Sequence, residues 1–133
     1  MIIYQKDLNN ISKNQLQGFF VGWSSPLTTT QHFKILENSQ YFVLAVDQDT
    51  SQVIGFVNAL SDHVNFAFIP MLEVLPNYQN KGIGTKLMAT MLEQLSMITC
   101  VDLTCDQDLQ DFYQRFSMLR SHGMILRKYI KNN

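Results

Sequence analysis

The stretch that decides the fold lies just past the middle of the chain. It reads Leu72-Glu73-Val74-Leu75-Pro76-Asn77-Tyr78-Gln79-Asn80-Lys81-Gly82-Ile83-Gly84. An apolar run ends at Pro76, a polar loop follows, and Gly82 and Gly84 open a segment with helical spacing of its apolar residues. The first N–H groups of such a helix lack intrahelical partners, and the helix dipole adds positive potential there. The stretch therefore predicts a binding site for phosphate or pyrophosphate.

Two common phosphate-binding motifs do not fit this stretch. A P-loop requires Gly directly before its Lys, whereas Lys86 follows Thr85. The dinucleotide-binding pattern G-x-G-x-x-G requires a third Gly, and Leu87 stands there. Gln79 and Lys81 would add a donor and a positive charge beside an anion. The alternative is that the glycines only loosen a loop before an ordinary helix.

The apolar patterns around this stretch predict alternating strands and helices. Runs of β-branched and aromatic residues predict strands at 1–4, 41–46, 53–60, 64–74, 98–105 and 124–130. Helical spacing predicts helices at 12–20, from 28–30 through 37, from the Gly84 region through 95, and around 109–116. A polar turn at 47–52 predicts a hairpin between the second and third runs. Pro70 cannot donate to a sheet, so we expect a bulge or kink beside it.

This order, β-α-α-β-β-β-α-β-α-β, indicates the α/β (α+β) class, with a mixed, mainly antiparallel twisted sheet flanked by helices. The 133 residues, 46% of them hydrophobic, suit one domain spanning 1–133. The formal net charge of -1 gives no basic surface for nucleic acid or a membrane. Neither a signal peptide nor a membrane-spanning run is recognisable, so we expect a soluble, cytoplasmic protein.

The two cysteines, Cys100 and Cys105, do not indicate a metal site. No second pair of Cys or His completes a zinc-binding pattern. If they share a strand, their odd separation places them on opposite faces and disfavours a disulfide. Reduced thiols in a core fit a cytosolic protein.

Two blocks of the sequence resemble one known family. Val74-x-Pro76-x-Tyr78-Gln79-x-x-Gly82-Ile83-Gly84 is similar to the acetyl-CoA signature of the GNAT superfamily of acyl-CoA-dependent N-acetyltransferases, whose core is Gln/Arg-x-x-Gly-x-Gly/Ala. Asp106-x-x-Leu109-x-x-Phe112-Tyr113-x-x-Phe116-Ser117-Met118 resembles the family's N-x-x-A-x-x-F-Y-x-x-x-G-F. The spacing matches throughout, but Asp106, Ser117 and Met118 replace the usual Asn, Gly and Phe. The resemblance covers about 41–129 and implies a GNAT-like sheet.

The resemblance implies acetyl-CoA as acyl donor and no metal. Leu72 and Val74 would face the pantetheine arm, on a strand that splays from its neighbour. The implied contacts to the rest of the cofactor are Gln79, Asn80, Lys81, Gly82, Ile83, Gly84, Thr85, Asp106, Phe112 and Tyr113. Gln79 through Thr85 would hold the pyrophosphate. An ionised Asp106 accepts but does not donate hydrogen bonds, unlike the usual Asn.

The implied reaction is direct attack of an amine on the thioester in a ternary complex. By resemblance, Tyr113 protonates the departing sulfur, and a backbone N–H near Val74 polarises the carbonyl. Glu73 is the candidate base, although it alternates with Leu72 and Val74 and points to the other face. A solvated or ion-paired role for Glu73 is equally open. His32, His63 and His122 are predicted to lie on the surface.

The acceptor is expected to be a primary amine of a small molecule or a protein. Phe20, Trp23 and Glu73 are the candidate substrate-binding residues, with Phe19, Pro26 and His32 nearby, although the aromatic residues equally suit a core. By analogy, the fold also allows a homodimer through its late strands. The competing hypotheses are a CoA-binding regulatory or interaction domain with little or no catalysis, and a structural domain without a CoA site.

Overall fold

A five-stranded sheet organises the first 103 residues. The computed structural model describes residues 1–130, so the last three residues of the predicted single domain lie outside the described part. The chain divides into two compact units, one from Met1 to Leu103 and one from Thr104 onward. The strands are β1 (Ile2–Gln5), β2 (Tyr41–Asp47), β3 (Gln52–Ser61), β4 (Phe66–Val74) and β5 (Cys100–Asp102). The helices are α1 (Thr29–Asn38), α2 (Ile83–Gln94) and α3 (Gln110–Gln114), with 3-10 turns at Lys13–Leu16, Pro76–Tyr78 and Gln107–Leu109.

The strands lie in the order β1-β2-β3-β4-β5, and each pair is antiparallel except β4 with β5. The predicted fold class is thus confirmed. The predicted hairpin is also found, with Tyr41 opposite Ala59 and Asp47 opposite Gln52. Asp47 orders its turn because one carboxylate oxygen accepts a hydrogen bond of 2.9 Å from the N–H of Asp49.

The irregularity expected near Pro70 is present as a bulge. Asn58 of β3 lies opposite Met71 of β4, and Leu60 lies opposite Phe68. Two residues, Ile69 and Pro70, therefore face one residue of β3. The extra residue removes the need for a ladder hydrogen bond from Pro70.

The pairing of β4 with β5 ends early. Three pairs form, from Phe66 with Cys100 to Phe68 with Asp102. Beyond them, residues 69–74 continue β4 with only β3 beside them among the described strands. One edge of this half of β4 is therefore open.

Helices cover both faces of the sheet. A Cβ added to Gly55 of β3 would lie 3.0 Å from Cδ1 of Leu87, so α2 packs closely on that face. The neighbouring residue Phe56 points the other way, and its ring centroid lies 4.3 Å from that of His32 in α1. Glu73 lies opposite Phe56, and Val74 lies opposite Gly55. Glu73 thus belongs to the α1 face, whereas Val74 belongs to the α2 face.

The helix predicted at 12–20 is wrong. A single 3-10 turn, Lys13–Leu16, is followed by a loop in which Gly18, Phe20 and Gly22 have φ of 93°, 65° and 83°. These left-handed residues prevent a continuous helix. The apolar pattern was misleading because Phe19 and Phe20 reach the core from a loop.

The predictions for the last two strands also need correction. β5 has three residues rather than eight, and Cys105 lies beyond it, so the argument from opposite strand faces does not apply. Both cysteines are free, and Cys100 is exposed rather than buried. Within the described chain, 124–130 contains no strand. This segment is exposed, so an apolar sequence alone did not create a sheet partner for it.

Candidate active site

The loop between β4 and α2 is fixed to the sheet by two side chains. The Tyr78 hydroxyl donates a 2.7 Å hydrogen bond to a carboxylate oxygen of Asp47 at the end of β2. This bond lowers the pKa of Asp47 and raises the pKa of Tyr78. Gln79 donates from Nε2 to the carbonyl oxygen of Val74 at 2.9 Å. Gln79 therefore closes the loop with one amide N–H, and the second N–H of the same nitrogen stays available to donate to an anion.

The start of α2 offers unpartnered N–H groups. Gly82 is its N-cap, with a left-handed φ of 81°, and its carbonyl accepts the first helical bond from Lys86 at 3.1 Å. The N–H groups of Ile83, Gly84 and Thr85 precede that bond and have no partner in the helix. A Cβ placed on Gly82 would meet no atom within 4 Å, so the space in front of the loop is open. The arrangement fits a pyrophosphate.

The cationic side chain beside this loop is Lys81. It is exposed, and its Nζ lies 5.6 Å from the centroid of the Tyr78 ring. Asn80 precedes it in a left-handed conformation, with φ of 61°. Lys81 is therefore free to approach an anion at the N-terminus of α2 while its stem rests on an aromatic ring.

The open edge of β4 leads directly to this loop. Leu72 and Val74 lie opposite Val57 and Gly55 of β3, and both are half-buried. They share the sheet face that α2 covers. A free strand edge can hydrogen-bond an extended ligand, so the segment suits the arm of a long molecule whose anionic end binds at Gly82.

Glu73 does not project freely into solvent. The N–H of Phe20 donates to both of its carboxylate oxygens at 2.9 Å, and the N–H of Val21 donates to one of them at 3.4 Å. Trp23 follows in the same loop, with its ring centroid 4.9 Å from that of Phe20. The structure therefore brings together the three predicted acceptor residues. Phe20 is nevertheless core, at 3% exposure, whereas Trp23 is 48% exposed.

His32 is a buried residue that the sequence analysis placed on the surface. Its ring packs against Phe19, Phe20 and Phe56, with centroid distances of 5.2, 5.0 and 4.3 Å. Neither ring nitrogen has a hydrogen-bond partner within the described chain. Burial lowers the pKa of His32 to about 4. The imidazole is therefore neutral at pH 7 and fills an aromatic cluster. His63 and His122 are exposed.

The second motif lies in the second unit. Asp106 is exposed, and its carbonyl caps the turn Gln107–Leu109 by accepting a 3.0 Å bond from the N–H of Leu109. Phe112 and Tyr113 are half-buried in α3, with ring centroids 5.0 Å apart. Burial raises the pKa of Tyr113 to about 12, assisted by the negative charge of the Cys105 thiolate at the high pH where the phenol titrates. Tyr113 thus keeps its proton at neutral pH, as a proton donor must.

Comparison with known families identifies the family to which these motifs point. The model of the GNAT acetyltransferase family matches residues 8–118. The chain belongs to the GNAT acetyltransferase family. The assignment supports acetyl transfer in general as the activity of the chain.

Relatives of this GNAT protein extend over most of its length. An uncharacterised N-acetyltransferase, ycf52, from Pyropia yezoensis is 27% identical over 126 residues, which cover 89% of this chain and 71% of the relative. A proposed acetyltransferase from Deinococcus radiodurans R1 is 44% identical, with a TM-score of 0.93 over 96% of this chain and 89% of that one. A GNAT family acetyltransferase from Streptococcus pneumoniae TIGR4 is 26% identical, with a TM-score of 0.73 over 98% and 100% of the two chains.

The family assignment also bears on cofactors. GNAT enzymes generally use acetyl-CoA, which combines an extended pantetheine arm with a pyrophosphate. Among residues 1–130 of this GNAT chain, no group of three or more His, Cys, Asp or Glu side chains could hold a metal ion. No helix in the same range is long and apolar enough to cross a membrane.

Proposed function

We propose that this protein transfers an acetyl group from acetyl-CoA to a primary amine of a small molecule or a protein. The observation that carries the proposal is one continuous segment, 69–85, in which an open strand edge leads to a helix N-terminus with free N–H groups. The N–H groups of Ile83, Gly84 and Thr85 would bind the pyrophosphate. Leu72 and Val74 would line the pantetheine arm.

The reaction proceeds by direct attack in a ternary complex. The amine nitrogen forms a bond to the acetyl carbon, the carbon–sulfur bond breaks, and the thiolate takes a proton from Tyr113. A backbone N–H of β4 near Val74 polarises the thioester carbonyl. The attacking amine must lose a proton, and Glu73 is the candidate acceptor. Its three hydrogen bonds from loop N–H groups, however, favour a second role that is developed below.

Asp106 and Ser117 favour an alternative, namely a CoA-binding regulatory domain with little or no catalysis. Asp106 replaces an Asn that can donate hydrogen bonds. Ser117 replaces a Gly but keeps the left-handed conformation, with φ of 65°. Ser117 therefore adopts a backbone conformation that suits glycine, whereas the chemistry at Asp106 differs from that of Asn.

One pair of measurements tests both hypotheses. Thermal unfolding is recorded with and without acetyl-CoA, and thiol release is then assayed across a panel of amines. Ligand at 100 times its Kd stabilises the native state by about 2.7 kcal/mol, which raises the Tm on the order of 8 °C. Thiol release with an amine supports the transferase. A raised Tm without turnover on any amine supports the regulatory domain, and an unchanged Tm refutes the acetyl-CoA site.

We also propose that the protein forms a homodimer through 119–130. This segment exposes Leu119, Met124, Ile125, Leu126, Tyr129 and Ile130. A second copy supplies a partner of the same chemistry for an apolar, strand-forming sequence. Sedimentation velocity should show a dimer that Leu126→Asp dissociates, while Ser121→Asp in the same exposed segment leaves it intact.

The free thiols of Cys100 and Cys105 support a proposed cytoplasmic location.

A further inference from the structure

The loop that carries Trp23 adopts an unusual backbone path. Gly18, Phe20 and Gly22 are all left-handed, and Phe20 does so as a bulky residue with φ of 65°. A left-handed non-glycine residue costs free energy and persists only where its surroundings hold it. The loop therefore requires a fixed anchor in addition to its two glycines.

Two contacts hold this loop. The Phe20 ring is buried against His32 and Phe56, with centroid distances of 5.0 and 6.2 Å. Its N–H, together with that of Val21, points at the Glu73 carboxylate. Within residues 1–130, the Glu73 carboxylate on β4 is thus the only hydrogen-bond acceptor of these two N–H groups. Hydrogen bonds to an ionised acceptor are roughly twice as strong as neutral ones.

Glu73 connects this loop to the strand that would bind the pantetheine arm. It lies between Leu72 and Val74 and opposite Phe56 of β3. On the outer side of the loop, Val21 and Trp23 are 59% and 48% exposed. The carboxylate therefore sets the position of an exposed apolar loop relative to the strand next to the proposed thioester site.

We propose that Glu73 is a positioning residue, whose carboxylate holds loop 18–23 in place and thereby shapes the acceptor side of the site. The proposal rests on the proposed acetyl transfer for its catalytic consequence, although the anchor itself does not. Two loop N–H groups, those of Phe20 and Val21, make three contacts with the two oxygens of this carboxylate. A proton taken from an amine would neutralise the carboxylate and weaken these charge-assisted bonds.

The chain contains an internal reporter for the anchor, because Trp23 is its single tryptophan. Acrylamide quenching of Trp23 fluorescence is compared in the wild type, Glu73→Ala, Glu73→Gln and the control Glu93→Gln. Glu93 is exposed on α2, far along the chain from the loop. Loss of the anchor should raise the quenching constant about twofold, since Trp23 is half exposed in the ordered loop and would become fully exposed. Glu73→Gln, which keeps one acceptor oxygen, should show a smaller rise.

Kinetics then separate positioning from general-base catalysis. We expect Glu73→Ala to raise the acceptor KM about tenfold, as for loss of a charged hydrogen bond, with a smaller change in kcat and little change in acetyl-CoA affinity. Glu73→Gln should recover part of that loss. The proposal is overturned if Glu73→Gln leaves Trp23 quenching and KM unchanged but lowers kcat about 10²–10⁴-fold, as expected for a base.

Trp23 quenching tests the Glu73 anchor independently of enzymatic activity. Unchanged quenching in folded Glu73→Ala, with folding checked by circular dichroism, would overturn the anchor whatever the activity. Increased quenching in a protein that acetylates no amine would support the anchor and count against the proposed transferase activity alone.

Discussion

Acidification from pH 7 to pH 5 should destabilise this protein by about 2 kcal/mol because of His32. Its side chain is fully buried among aromatic rings, and burial lowers its pKa from 6.5 to about 4. Each pKa unit corresponds to about 1.4 kcal/mol, so the complete effect is about 3 kcal/mol. The unfolded chain accepts a proton near pH 6.5, whereas the folded protein resists it until about pH 4.

The difference between the pKa of His32 in the unfolded and folded states decides whether stability rises or falls with pH. Between these two pH values the unfolded state binds more protons, so the free energy of unfolding falls as the pH falls. The contribution of His32 is fully retained well above pH 6.5 and completely lost below about pH 4. Asp47 and Asp62 also have lowered pKa values, but their effect begins near the ordinary value of 3.8. The window from pH 7 to pH 5 therefore isolates His32.

The measurement is urea unfolding at pH 7, 6 and 5, followed by circular dichroism. His32→Phe places a ring without a titratable proton among Phe19, Phe20 and Phe56, and should abolish most of the pH dependence. His122→Gln, which alters an exposed histidine, should behave like the wild type. If the wild type and His32→Phe lose equal stability between pH 7 and pH 5, other groups cause the loss and the argument from His32 fails.

Three further predictions concern glycines and the proposed acid. Gly82→Ala should weaken acetyl-CoA binding in calorimetry. Gly22 has nearly the same φ and equally open surroundings, so Gly22→Ala should destabilise the fold to a similar extent, by about 1–2 kcal/mol, without weakening acetyl-CoA binding. Equal loss of binding in both variants would contradict a specific cradle. Tyr113→Phe should lower kcat more than acetyl-CoA affinity, and unchanged kcat would exclude Tyr113 as the acid. Gly55→Ala should lower the free energy of unfolding, measured in urea, by about 1–3 kcal/mol, because the new Cβ would lie 3.0 Å from Cδ1 of Leu87. An unchanged free energy of unfolding would show that α2 can shift.

Local patterns predicted the parts of the fold that depend on local chemistry. The hairpin, the bulge at Pro70 and the start of α2 at Gly82 all follow from turn residues, a missing donor or a glycine. The glycine motif also predicts where a phosphate cradle would lie, and that cradle stays a proposal. Its anchor was missed, because the Tyr78 hydrogen bond joins residues 31 positions apart, and sequence spacing does not reveal which acceptor a phenol reaches.

Long-range packing accounts for the remaining errors. Phe19 and Phe20 have helical spacing with Leu16, yet both reach the core from a loop held by Glu73, which lies 53 residues from Phe20 in the sequence. The same loop covers His32, so its burial could not be anticipated from α1 alone. The segment 124–130 has a strand-like sequence without a partner among the described strands. A strand requires a neighbour as well as propensity.

The early separation of β4 from β5 also affects how this protein behaves when no ligand is bound. Residues 69–74 form an edge strand in the middle of a sheet, and unpaired edges recruit other chains. Pro70 lies within that edge and contributes no donor, and the bulge beside it disturbs the regular spacing that an incoming strand requires. A bound cosubstrate arm would take the place of the missing neighbour. Under the proposed function, acetyl-CoA would act there as a temporary sixth strand, and its depletion would leave Pro70 and the bulge as the protection of this edge against aggregation.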